Sequence, residues 1–133
     1  MATGSPSFDR ELAEQLGADQ HGMAHYVIAF LKAGPDRDKP KDEAARLQRA
    51  HLDNIQRLAE EGKLLLAGPF LGEGELRGIY IFDVQSVEEA RALAESDPAI
   101  QSGWLVMELR PWYGSAALRK LPEIVPKITE NPV

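Results

Sequence analysis

Within Gln48-Arg49-Ala50-His51-Leu52, an imidazole stands in the middle of an otherwise apolar helical stripe. At helical spacing His51 shares an arc with Ala44, Leu47, Gln48, Leu52, Ile55, Leu58 and Ala59, while Arg46, Arg49, Asp53, Arg57 and Glu60 lie opposite. The mixed signs on that second arc describe a solvated face, not a binding patch. Near neutrality an imidazole works as either a general acid or a general base. The plainer alternative is a buried neutral ring bonded to a backbone carbonyl. Gln48, one turn earlier on the same face, can orient a substrate oxygen or simply fill the core.

Other residues invite the same two-sided question. Gly68-Pro69 lies near the end of the apolar run 64–70; such a pair lets a ligand or a second backbone come close, or merely ends a strand. Tyr80, Trp104 and Trp112 can line an aromatic pocket or serve as core and dimer contacts. Arg110 and Glu108 alternate with Trp104 and Trp112 on the same side of their strand, so Arg110 either receives a carboxylate substrate or pairs with Glu108. Asp97 precedes Pro98, the ordinary position of a helix N-cap. His21 and His25 share a face only on a helix, and Gly22 with the strand pattern around them argues against one. No metal site is therefore expected, although three histidines can hold zinc. The absence of cysteine removes thiolate nucleophiles and Cys-based metal sites, and no cofactor is expected.

The whole chain bounds the partners. Its net charge of −6 argues against nucleic acid and anionic membrane surfaces. Arg77-Gly78 faintly resembles an RNA-recognition signature, but Ile79 and Ile81 occupy its aromatic positions. No apolar run approaches the ~18 residues of a membrane span, and the first residues lack the apolar stretch of a signal peptide. A cytoplasmic location is the default expectation, with a removed signal peptide as the alternative.

The elements that must position these residues follow from periodicity. At 133 residues one domain is expected. After a loop over 1–6, Phe8, Leu12 and Leu16 predict a short amphipathic helix capped by Ser7 and ended by Gly17. A strand over 24–31 is apolar at both parities and so is covered on both faces. The helix 42–61 follows, with Gly62 as its C′ residue. Strands over 64–70 and 76–84 flank a turn at 72–75. Ser86 and Glu89 have capping-box spacing for a helix over 87–95, and one helical turn follows Asp97. A strand over 104–112 closes the set, and from Tyr113 onward Pro122, Pro126 and Pro132 suggest a tail without long regular structure. The order β-α-β-β-α-β predicts an α+β, ferredoxin-like fold, with both helices on one face of a four-stranded antiparallel sheet. Apolar side chains remain on the other face, so a second copy is expected to pack sheet against sheet.

The chain resembles the YciI-like family of YCII-related domains. His51-Leu52, Leu66-Ala67-Gly68-Pro69 and Gly78-Ile79-Tyr80-Ile81-Phe82 carry the resemblance, joined by Ser86-Val87-Glu88-Glu89-Ala90, Asp97-Pro98 and Arg110-Pro111-Trp112. It spans roughly 24–112, giving an extension over 1–22, a domain over 23–113 and a tail over 114–133. The implied architecture is a dimeric α+β barrel. Enzymes similar in fold include a dehydrochlorinase of a chlorinated hydroxyhydroquinone, muconolactone isomerases and cofactor-free monooxygenases. Carried over by position, the family's recurrent His falls on His51 and its Asp on Asp97. One Asp97 oxygen can cap while the other faces His51, fixing its tautomer as in other acid–base pairs. The resemblance thus implies a cofactor-free enzyme with a His51–Asp97 acid/base pair, of elimination or isomerisation type, acting on a small anionic or cyclic substrate. The alternative is a non-catalytic ligand-binding or accessory dimer that uses the same cavity.

Overall fold

Strand formation begins where β-branched and aromatic residues cluster, and the longest such run pairs on both of its edges. In the computed structural model, which describes residues 7–133, β1 (Met23–Ala33) lies between β3 (Leu76–Phe82) and β4 (Leu105–Ser115), and β2 (Leu64–Pro69) pairs with β3. All three pairings are antiparallel, giving the order β2-β3-β1-β4. With α2 (Lys41–Glu60) and α3 (Val87–Ala94) as crossovers, this is the expected ferredoxin-like sheet. The predicted loop over 1–6 lies outside the described residues.

Alternation assigns the faces. Val27, Ala29 and Leu31 of β1 join Tyr80 and Phe82 of β3 and Leu105 of β4 under Leu58 of α2, Ala90 of α3 and Ala99 of α4 (Pro98–Gln101). On the opposite face Ala24, Tyr26, Leu65 and Ile81 form a smaller cluster. That cluster is closed by Leu16 and Ala18, just after α1 (Arg10–Gln15), and by Ala116 and Leu118 of a 3-10 turn (Ala116–Lys120). The second face is therefore covered at one end by the chain's own termini.

Three expectations change. The α1 cap is Asp9, whose Oδ1 accepts from the Leu12 N–H at 3.1 Å, and not Ser7; an N-cap carboxylate sits immediately before the first helical residue, and Arg10 is that residue. Strand β4 runs on to Ser115, because β1 starts at Met23 and supplies a partner along its whole length. The tail is not irregular either: α5 (Leu121–Ile128) follows the 3-10 turn. Pro122 falls in its first turn, where an N–H has no partner to lose, and Pro126 costs a helix this short a single bond.

Two glycines shape the elements next to α2. Gly62, at φ 75°, ends α2 as its C′ residue, with the Lys63 N–H reaching the Leu58 carbonyl. The close approach expected at Gly68 belongs to its neighbour: a Cβ on Gly78 would meet the Gly68 carbonyl at 2.9 Å, whereas one on Gly68 would meet nothing. Gly78 thus lets β2 and β3 close up at the edge of the sheet that faces α2.

Candidate active site

Two short segments meet to make the site. Asp97 ends the linker after α3, and its Oδ1 accepts from the Ala99 N–H at 2.8 Å to cap α4. Its Oδ2 accepts from His51 Nδ1 at 2.5 Å. Asp97 is 0% exposed and His51 8% exposed, so the pair is withdrawn from water with both carboxylate oxygens occupied. A buried charge is tolerable only when paired and bonded in this way.

The contact fixes the imidazole. A carboxylate only accepts, so Nδ1 carries the ring proton and Nε2 of the neutral ring is bare. The Tyr80 hydroxyl lies 3.3 Å from Nε2 and donates to it. Burial, and then the negative Asp97, push the Tyr80 hydroxyl well above its ordinary 10.0, so it remains protonated and acts as a donor. The line Asp97–His51–Tyr80 thus runs from the α4 cap through α2 to the centre of the sheet. Its base is braced by Asn54, one turn beyond His51, whose Oδ1 accepts from Arg57 Nη2 at 2.6 Å and from Ser96 Oγ at 3.4 Å.

Above this line opens a cavity of about 810 Å3, bounded by α2, the β2–β3 edge, Trp104 and α5. Its size suits a small-molecule ligand. His51, Gln48, Gly68, Pro69, Tyr80 and Trp104 all line it. Arg110 does not. It lies on the opposite face with Nε donating to Glu108 at 3.0 Å, because its parity on β4 is that of Val106 and Trp112. Trp104 was expected on that same side, but it precedes β4, escapes strand alternation and packs against the helix-covered core.

Sequence reasoning missed three features. Tyr80 was assigned as a wall, yet its hydroxyl meets the histidine; nothing local to Tyr80 signals a partner in α2. Val125, Pro126 and Thr129 of the C-terminal segment close one side of the cavity. Arg37, in the loop between β1 and α2, lines it as well. An arginine in a charged loop carries no sequence signal of that placement. Among the described residues no three His, Cys, Asp or Glu side chains gather as a metal-binding group, and no helix is long and apolar enough to cross a membrane.

Comparison with known proteins agrees with this architecture. A model of the YCII-related domain matches residues 27–113. The uncharacterised protein YjpA of Bacillus subtilis (strain 168) is 31% identical over 62 residues, which cover 47% of this chain and 71% of that protein. A solved structure of 5-chloro-2-hydroxyhydroquinone dehydrochlorinase (TftG) from Burkholderia phenoliruptrix AC1100, in complex with 2,5-dihydroxybenzoquinone, aligns with a TM-score of 0.51. That alignment covers 65% of this chain and 92% of that one at 21% identity, a likeness of fold.

Proposed function

The chain belongs to the YCII-related domain family, whose model spans more than half of it, and from that premise we propose that it is a cofactor-free small-molecule enzyme using His51 and Asp97 as an acid/base pair. The observation that carries this reading is the short Nδ1–Oδ2 contact of 2.5 Å beside a ligand-sized cavity. Asp97 holds the Nδ1 proton and leaves Nε2 unprotonated; once a bound substrate draws the Tyr80 hydroxyl away, Nε2 takes a proton from a carbon next to a carbonyl. Asp97 then faces the imidazolium that forms, while Tyr80 gives a hydrogen bond to the enolate oxygen. Return of that proton to a different carbon is an isomerisation; loss of a leaving group from the neighbouring carbon is an elimination. The dehydrochlorinase activity of the similarly folded protein belongs to the second class.

A second reading, a non-catalytic binding protein, draws on one observation: the Tyr80 hydroxyl occupies Nε2, the atom that would take the proton. Substitution separates the two. Incubated in D2O with 5-chloro-2-hydroxyhydroquinone and a panel of cyclic enones and unsaturated lactones, the protein is expected to eliminate chloride or exchange the activated proton. His51→Asn should lower that rate by about 10²-fold or more. If His51→Asn changes only ligand affinity, the binding reading replaces the catalytic one.

The active unit in this proposal is a dimer formed through the helix-free face of the sheet. Its support is the apolar surface left there beyond the reach of α1 and the 3-10 turn, where Leu66, Val106 and Trp112 are exposed. Sedimentation at micromolar concentration should show two copies, and a clean monomer would remove this part of the proposal.

A further inference from the structure

Two arginines of this chain are half-buried under similar constraint, and they differ in one respect. Arg119 lies beside the Tyr26 ring, 5.4 Å from its centroid, and forks onto Asp83, with Nη2 donating to Oδ1 at 3.0 Å. Arg37 lies over the Trp104 ring, 4.6 Å from its centroid, and Nη1 donates to the Trp104 carbonyl at 2.6 Å. Among the described residues no carboxylate is within ion-pair distance of Arg37: Asp36, its neighbour, is taken by Lys39 at 2.8 Å, and Asp38 is exposed. Burial, and then the nearby Arg77, hold the Arg37 guanidinium below its ordinary range. The residue stays charged, and among the described residues no ion pair neutralises it at the wall of a cavity that Arg77 and Glu60 also line.

The loop that carries Arg37 is fixed to the frame that holds Asp97. Gly34 N–H donates to the Trp104 carbonyl at 2.9 Å and Asp36 N–H to the Gly103 carbonyl at 3.0 Å. The backbones cross so closely that a Cβ on Gly34 would lie 2.1 Å from the Gly103 oxygen. Trp104 leaves the C-terminal end of the same helical turn that Asp97 caps, its N–H bonded to the Ala99 carbonyl at 3.1 Å. One rigid turn therefore places the carboxylate of the acid/base pair at one end and the platform under Arg37 at the other.

We infer that Arg37, laid on Trp104, receives a carboxylate carried by the ring-shaped substrate on which His51 acts. The inference rests on the proposed function for the role of His51, but not for the anion site itself. Planar guanidinium matches carboxylate with two parallel N–H donors, and with one Nη committed to Trp104 the rest of the fork remains for a ligand. The apolar walls Leu31, Ile55 and Pro69 suit the ring. The substrate class is then an unsaturated cyclic acid, its carboxylate at Arg37 and its acidic C–H at His51.

Titration of the full chain with benzoate and with benzamide, followed by NMR, tests this without requiring turnover. Benzoate should bind about ten-fold more tightly than benzamide, as expected of a charge-assisted pair. Arg37→Gln should erase the difference by weakening benzoate alone. Arg37→Lys, which keeps the charge but loses the fork, should retain part of it and serves if the Gln variant does not fold. His51→Asn should keep the preference, so loss of turnover and loss of anion recognition are separable. Equal affinity for the two probes, binding of neither, or a preference that survives in folded Arg37→Gln would overturn the assignment.

Discussion

The two faces of one sheet treat charge in opposite ways. On the helix-covered face a carboxylate is wholly excluded from water, and both of its oxygens are taken up by Ala99 and His51. On the other face the single Glu108 carboxylate lies between two cations, Lys32 at 3.3 Å and Arg110 at 3.0 Å, in a chain open to water. Exposed pairs of this kind contribute little to stability, whereas a buried pair is costly to break. The difference separates a face that withdraws a bonded proton from water from one whose charges meet water.

Asp97→Ala should produce the largest effect. It leaves the His51 Nδ1–H and the Ala99 N–H without acceptors, and each buried donor left unsatisfied costs about 1–3 kcal/mol. Urea denaturation measures this directly; a change no larger than that of a surface substitution would mean the pair is not buried in solution. Arg110→Gln is the counterpart on the open face and should leave both the melting temperature and turnover unaltered. A loss of turnover in that variant would restore Arg110 to the site and erase the contrast between the faces.

Tyr80→Phe tests the same contrast through pH, with an intermediate effect on stability read in alkaline solution. The Tyr80 hydroxyl is raised above 10.0 in the folded chain by burial and then by Asp97. Above about pH 10 the unfolded tyrosine loses its proton while the folded one keeps it, so the folded state binds more protons there and stability falls as pH rises. The contribution is complete below pH 10 and disappears through the alkaline range. Tyr26, raised chiefly by its own burial, adds to the decline. In Tyr80→Phe the alkaline decline should be shallower than in the parent; identical slopes in thermal melts would show that Tyr80 titrates freely.

The sequence made His51 visible because a polar ring interrupts an apolar helical period, and Asp97 because Asp before Pro is a cap. Their pairing came from family resemblance, since 46 residues separate them and neither position names the other. The faces of β1 and β3 were legible for the same reason as His51: alternation is a local property. Arg110 and Trp104 failed where alternation either decides the wrong side or stops applying, one residue before β4 begins. Asn54, Tyr80 and Arg37 acquire their roles only from partners on other elements. The C-terminal helix was obscured by its prolines, one of which sits in the first turn where it does no harm.

The central claim is that Asp97 fixes the His51 tautomer so that Nε2, within reach of the Tyr80 hydroxyl, is left unprotonated beside the cavity. Long-range 1H–15N spectra of the imidazoles measure this directly, with His21 and His25 as internal references. The neutral His51 ring should carry its proton on Nδ1 in the parent protein and lose that preference in Asp97→Ala. A neutral His51 protonated on Nε2 in the parent would contradict the account.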